Sequence, residues 1–283
     1  MRRAADRLFR VATGACAVAA CAVLVGIVGT ILWKGLPALD WDLLTAAAGE
    51  TFGTGGLAYQ ILGTLLLVAT AFAVATPLAV GLALAQASYF VRRSARERVR
   101  LLVQTLNGVP SVVLGILGFV VLVRYFAWGK SWLAGGLVLG VMIAPTMTVA
   151  LAERVEALPR RYLDAARGLG LTRGQTVRSV VLPQTRSGLV SGALLGLARA
   201  AGETAPLLFT AAVFSGATIP GGIRESPVLA LPYHVFVLAQ DTADAAARAH
   251  LWAAAFVLLA IVLGLALAAL PLRLRSSEEA RHG

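Results

Sequence analysis

The sequence predicts an all-α, polytopic membrane protein with six transmembrane helices and both termini in the cytoplasm. Three observations carry that expectation. Charged residues make up only 14% of the 283-residue chain and hydrophobic residues 58%, whereas soluble domains are about 25% charged. The apolar residues gather into six runs, each long enough for a hydrocarbon core about 30 Å thick. Of the 25 lysines and arginines, 19 fall in the termini and in the two loops on the same side as them, and such an excess marks the cytoplasmic face.

The first run, residues 11–33, follows Arg2, Arg3, Arg7 and Arg10. A secretory signal has an apolar stretch of about 7–15 residues. This run is longer, so it reads as an uncleaved first helix despite the lipoprotein-like box Val18-Ala19-Ala20-Cys21. A polar outside loop occupies 34–56. The second run, 57–87, exceeds a span and carries Pro77, which predicts tilt or a kink. Arg92, Arg93, Arg96, Arg98 and Arg100 then mark a cytoplasmic turn. The third run, 101–123, holds Asn107-Gly108-Val109-Pro110-Ser111. Asparagine beside glycine and proline predicts a broken helix packed inside protein, because lipid satisfies no freed backbone group.

Tyr125, Trp128 and Trp132 suit the outer interface. The fourth run, 133–151, offers Gly135, Gly136 and Gly140 for close helix approach and Pro145 for a bend. The cytoplasmic loop 152–187 precedes the fifth run, 187–212. The outside loop 214–248 has an apolar middle, 228–239, expected to dip into the membrane or pack on it. The sixth run covers 250–272. The domain division is therefore a first segment at 1–56, a transmembrane domain at 57–272 and a cytoplasmic tail at 273–283.

Several function classes drop out. The basic residues lie in short clusters between spans rather than in one patch, which argues against nucleic acid as a partner. Neither Lys34 nor Lys130 follows the glycine pattern of a phosphate-binding loop, so the chain carries no visible nucleotide site. The spacing of Cys16 and Cys21 suits neither zinc nor a disulfide framework. His234 and His250 read as titratable surface histidines on or beside the outer loop, and no metal is expected. No nucleophile–base constellation points to an intramembrane enzyme.

The fifth run is the exception to apolar monotony. Arg199 lies roughly 17 Å along a helix from Gly188, near mid-membrane, where an arginine costs about 2.5–3.5 kcal/mol on insertion scales. A four-residue spacing puts Glu203 on the same face. A mutually neutralising pair that only packs two helices is one reading, and a polar site in a transport pathway is the other. Pro206 removes the hydrogen bond to the Gly202 carbonyl, which predicts a hinge across Gly202–Pro206. Thr204 has two uses open to it, donation to a substrate or to a backbone carbonyl.

The cytoplasmic loop carries the second signal. Pro159 suits the first turn of a short helix, and Gly168 and Gly170 suit its end. Thr172 and Gln175 form a capping-box pair opening another helix, which Pro183 is expected to close. Asp164-Ala165-Ala166, three residues, Gly170, nine residues, Val180, one residue, Leu182-Pro183 resembles the EAA loop of ABC importer permeases, with aspartate for glutamate and valine for isoleucine. Residues 198–209, Ala-Arg-Ala-Ala-Gly-Glu-Thr-Ala-Pro-Leu-Leu-Phe, resemble the fifth-helix signature of the A-type permeases of phosphate-specific importers. Residues 62–65 and 107–111 resemble the same family's second and third helices.

The resemblance implies a type I ABC importer permease fold in a bacterial-type cytoplasmic membrane. The implied partners are a C-type permease subunit, an ABC ATPase dimer that binds ATP and Mg, and a periplasmic or lipid-tethered phosphate-binding protein. Residues 161–171 would be the coupling helix in an ATPase cleft, with Asp164, Ala165, Ala166, Gly170, Leu182 and Pro183 as its motif. Arg199 would contact phosphate, with Glu203 and Thr204 beside it. A permease for another oxyanion or small solute, or an ATP-independent secondary transporter, is the competing expectation.

Overall fold

The computed structural model describes residues 2–47, 49, 55–87, 92–213, 219–240 and 245–268. The expected tail at 273–283, the end of the sixth run and parts of three loops lie outside them. All the regular elements among the described residues are helical.

The first apolar run forms α1, Arg2–Gly35, followed by a short 3-10 turn at Leu36–Ala38. Asp40 then caps α2, Trp41–Thr45, by accepting from the Trp41 N–H at 2.7 Å. The second run forms α3, Ala58–Gln86, with Pro77 inside it. The third run breaks where the sequence places the break. α4, Arg93–Gly108, ends at Val109-Pro110, and α5, Ser111–Gly118, continues through wider π-type turns to Tyr125. The two pieces meet at 96°. Proline cannot donate to the preceding turn and pushes its neighbour out of helical backbone, so the chain turns there.

The fourth run forms α6, Trp132–Glu156, opened by Ser131, whose hydroxyl accepts from the Ala134 N–H at 3.2 Å. α7 covers Arg160–Gly168 and α8 Arg173–Thr176, the latter with a reciprocal Thr172–Gln175 capping box. Pro183 does not end this segment, contrary to expectation. The chain passes through a π turn at Val177–Val181 directly into α9, Leu182–Gly202. Pro183 cannot donate to the turn before it, and the wider turn at Val177–Val181 is where the continuous helix absorbs that missing bond. α10 is Ala205–Thr210, α11 is Leu231–Leu238 and α12 is Ala245–Ala268.

Four helices are individually long and apolar enough to cross a membrane, and the bent pair α4–α5 makes a fifth. The remaining expected span is α9 with α10, which carries Arg186, Arg199 and Glu203 and is divided at Glu203. The core joins α3, α6 and α9 through Leu67, Ala71, Ala75, Leu139, Ile143, Met147, Ala193 and Ala200, among others. Their backbones approach closely. A Cβ on Gly140 would lie 2.8 Å from Val74 Cβ, and one on Gly192 2.9 Å from the Met147 carbonyl oxygen. Polar residues inside this apolar core satisfy themselves locally. Thr64, Thr148, Thr185 and Thr210 are buried and each donates to the carbonyl four residues back at 2.7–2.8 Å.

Candidate functional site

α9 and α10 are joined end to end, and the residues singled out in the fifth run lie at the joint. α9 stops at Gly202, Glu203 continues in extended backbone (φ −79°, ψ 129°), and α10 restarts at Ala205 with Pro206 in its first turn. The expected kink is thus a complete break, and Glu203 does not stand a helical turn above Arg199. The side chains still meet, because Arg199 Nε donates to Glu203 Oε1 at 3.4 Å. Gly202 is exposed and has open space where a Cβ would stand, so close packing is not the reason for that glycine.

Packing decides which way this pair looks. Gly188, Gly192 and Gly196 seat one stripe of α9 on Arg154, Met147 and Ile143 of α6. The adjoining stripe, Leu195, Arg199 and Gly202, is left open. Leu195 is 60% exposed, while the Arg199 and Glu203 side chains keep 35% and 19% exposure. The Arg199 guanidinium is therefore presented on a face of α9 that the described residues leave unfilled.

The outer half of the broken segment is held independently. The Gly115 backbone of α5 lies so near that a Cβ there would be 2.7 Å from Pro206 Cα. Lys130 Nζ donates to the Leu208 carbonyl at 2.9 Å and to that of Ala212 at 3.4 Å, and Ser131 N–H donates to Thr210 at 3.0 Å. A lysine at the C-terminal carbonyls of a helix meets the negative end of its dipole. The Thr204 hydroxyl donates to the Pro232 carbonyl at 3.4 Å. That carbonyl belongs to α11, the apolar middle of the outer loop, which packs inward. Leu231 N–H donates to Thr64 Oγ1 of α3 at 2.9 Å.

On the cytoplasmic side, α7 splits its motif between two faces. Leu163 and Ala166 are buried, and Leu163 joins Leu151, Val155 and Val181 under the bundle. Asp164 and Ala165 point outward, and Leu169 is 79% exposed. Small size at Ala166 thus serves the chain's own packing rather than an external contact. Asp164 pairs with Arg167 of the same helix at 3.6 Å, an exposed contact. Gly170 has φ +72°, a left-handed turn that side chains resist. Leu182 is half-buried, and Pro183 is exposed at the start of α9.

The histidines correct a second expectation. His234 and His250 are not on the surface. They are 9% and 7% exposed and pack edge to face, with ring centroids 5.3 Å apart. The outer loop folds back so that His234 of α11 and His250 of α12 bury each other, which the position of His234 in a prolyl loop did not reveal. Sequence reasoning also passed over Lys130, Pro232 and the structural use of Thr64. One of only two lysines in the chain, Lys130, and a prolyl apolar stretch were the available signals. Among the described residues, no group of three or more His, Cys, Asp or Glu is placed to hold a metal ion.

Residues 75–275 match the family described as binding-protein-dependent transport system inner membrane component. Over 249 residues the chain is 35% identical to the phosphate transport system permease protein PstA 2 of Mycobacterium bovis, covering 86% of this chain and 79% of that one. Over 273 residues it is 33% identical to the probable phosphate transport system permease protein PstA of Methanocaldococcus jannaschii, covering 94% and 92%. Its fold is similar to a chain of the MetNI methionine ABC transporter in an inward facing conformation, with TM-score 0.58 over 77% of this chain and 96% of that chain at 17% identity. The family match includes the α9–α10 joint and the α7 knob.

Proposed function

The chain belongs to the binding-protein-dependent transport inner membrane components and, among them, to the PstA permeases, and from that membership we propose that it is the A-type permease subunit of an ATP-driven inorganic phosphate importer. It forms half of a translocation pathway in a bacterial-type cytoplasmic membrane. A C-type permease supplies the other half, and a periplasmic or lipid-tethered binding protein delivers phosphate. An ATPase dimer binds ATP and Mg and docks at α7. This chain is not itself the enzyme.

The observation that carries the reading is the open Arg199 at the α9–α10 break. Phosphate enters as a monoanion or dianion, and guanidinium offers it planar, paired donors whose charge does not titrate away. Ionised Glu203 only accepts hydrogen bonds, so it holds Arg199 in place in the absence of substrate and faces the hydroxyl of hydrogenphosphate in its presence. The second contact would disfavour a fully deprotonated oxyanion of the same shape. Thr204 ties the joint to α11. The break itself serves as the hinge, Gly202 and Pro206 bounding it. The Gly170 turn joins α7 to α8, and from α8 the path to this joint is a single run of helix through the π turn and α9. Asp164 and Ala165 offer the outward face to the ATPase, and Gly170, Leu182 and Pro183 shape the turn behind it.

Arg199→Lys tests the proposal, because it keeps the charge and loses the planar fork. Uptake of labelled phosphate by cells with no other importer should fall on the order of a hundredfold, as misplaced contacts in a committed site do, with the subunit still present in the membrane complex. Unchanged uptake would remove Arg199 from substrate coordination.

A further inference from the structure

His234 and His250 are used by nothing described so far. Both rings are buried, and the Nε2 atom of each is enclosed without a hydrogen-bond partner among the described residues. A buried polar nitrogen left unpaired is an exception that asks for a reason, since a pair of phenylalanines would fill the same space without that cost. The rings join α11 to α12. Two residues before His234, the Pro232 carbonyl accepts from Thr204, and Leu231 N–H is held by Thr64. α11 is thus pinned at its inner end to the joint that carries Glu203, and along its side to α12 through the two imidazoles.

Titratable groups reach this region from four elements. α2, whose Leu43 and Leu44 pack in the same cluster as Leu231 of α11, carries Asp40 at its cap and Asp42, both exposed to solvent. α12 presents His250, with Arg248 exposed on its outer turn. α3 contributes the uncharged Gln60 and Thr64, together with half-buried Tyr59. On the α1 side, Lys34 lies over the Trp252 ring, 4.8 Å from its centroid. A proton on either ring would bury a cation beside a second imidazole.

We propose that the His234–His250 pair is an acid-sensitive positioning couple for transport. With both rings neutral it clamps α11 to α12 and holds Pro232 against Thr204. Protonation from the outside releases α11 and slows the transport cycle. The effect on transport rests on the α9–α10 joint being the substrate site, whereas the clamp itself does not.

The sign and the window follow from His234. Burial, and then the neighbouring His250, push it down from 6.5 to about 4. The docked state therefore favours the neutral ring. Its stability is complete above pH 6.5 and is lost progressively as pH falls toward 4. By pH 5 the docked form should lose on the order of tenfold in population relative to the released one.

The test uses the assembled transporter in proteoliposomes with the outside pH stepped from 7 to 5. The wild type is compared with the double variant His234→Phe/His250→Phe, which keeps an edge-to-face aromatic pair but takes no proton. Phosphate and the binding protein titrate alike in both samples, so the ratio of uptake rates isolates the couple. Wild-type uptake should fall further than that of the variant, by at most about tenfold, and parallel profiles would overturn the transport role. Hydrogen exchange on the wild-type complex without phosphate covers the case in which the variant fails to assemble. After correction for intrinsic rates, amides 231–238 should lose protection at pH 5 while those of α6 keep theirs. Equal protection at both pH values would overturn the clamp. Lost protection together with an Arg199→Lys variant that still transports would leave the clamp standing and reject the site reading instead.

Discussion

The first span and α6 show how little hydropathy says about packing. Phe9–Ala38 has a mean hydropathy of 2.5 in its most apolar window and none of that window is buried; Trp132–Glu156 has 1.9 and 67%. The less apolar helix is the more buried one. Lipid tails are as apolar as leucine, so no hydrophobic gain drives one membrane helix onto another, and close approach has to come from small residues and local hydrogen bonds. α6 offers Gly136 to Thr70 and Gly140 to Val74, whereas Gly14, Gly26 and Gly29 of α1 face no atom within 4 Å. Glycines in the bundle are contact surfaces. Gly14, Gly26 and Gly29 are unpartnered among the described residues, whereas Gly35, at the end of α1, packs on Trp252 and Phe256 of α12.

The strongest way to break this contrast is to fill a glycine at which backbone meets backbone. A Cβ on Gly63 of α3 would run into the Leu229 carbonyl, with Val228 Cβ at 3.2 Å. Neither a rotamer change nor a small side-chain shift relieves a clash with a peptide group. Gly63→Leu should therefore displace the strand of chain that leads into α11, costing about 1–3 kcal/mol or more. The measurement is the yield and melting temperature of the detergent-solubilised complex. A normal melt would mean that residues 228–230 do not sit against α3.

A second glycine separates contact from conformation. Gly170 has nothing within 4 Å of its missing Cβ, yet its φ is +72°, so only the backbone requires it. Gly170→Leu should cost about 1–3 kcal/mol of local strain and disturb the turn after α7 without touching the bundle. The expected outcome is a complex that inserts and melts normally but hydrolyses ATP with phosphate uptake reduced severalfold. Uptake at the wild-type rate per ATP would show that the turn has no part in coupling.

The same distinction explains what was legible in the sequence. Breaks announced themselves, because proline acts on its own neighbours. Val109-Pro110 and the Glu203–Pro206 stretch both interrupt helices where local chemistry requires it, and the Thr172–Gln175 box forms as its spacing dictates. Whatever depends on distant chain was not readable. Pro183 fell inside a continuous segment because the π turn before it absorbs the bond that proline cannot make. Nothing near His234 in sequence reports that α12 covers it. Ala166 and Ala165 are identical in type, and only the helix phase sends one inward and the other out. Arg199 was the easiest residue to find, since a charge in an apolar run needs a reason wherever the chain folds, but the open stripe around it needed the placement of α6.

The smallest effect belongs to α1, and it sharpens the contrast more than either loss. Gly26→Leu adds a large side chain in the open groove that α1 forms with Val235 of α11 and with Leu251 and Trp252 of α12, where no atom lies within 4 Å of the missing Cβ, so the fold of this chain predicts a change within about 0.5 kcal/mol. Insertion, melting and uptake should all match the wild type. The same substitution also bears on the second permease, because a face left bare by one chain is available to another. If Gly26→Leu lowers recovery of the paired permease while leaving this subunit in the membrane, then Gly26 is a contact surface after all, completed by a neighbour. The glycines of α1 and α6 would then differ in whose helix they meet, not in what they do.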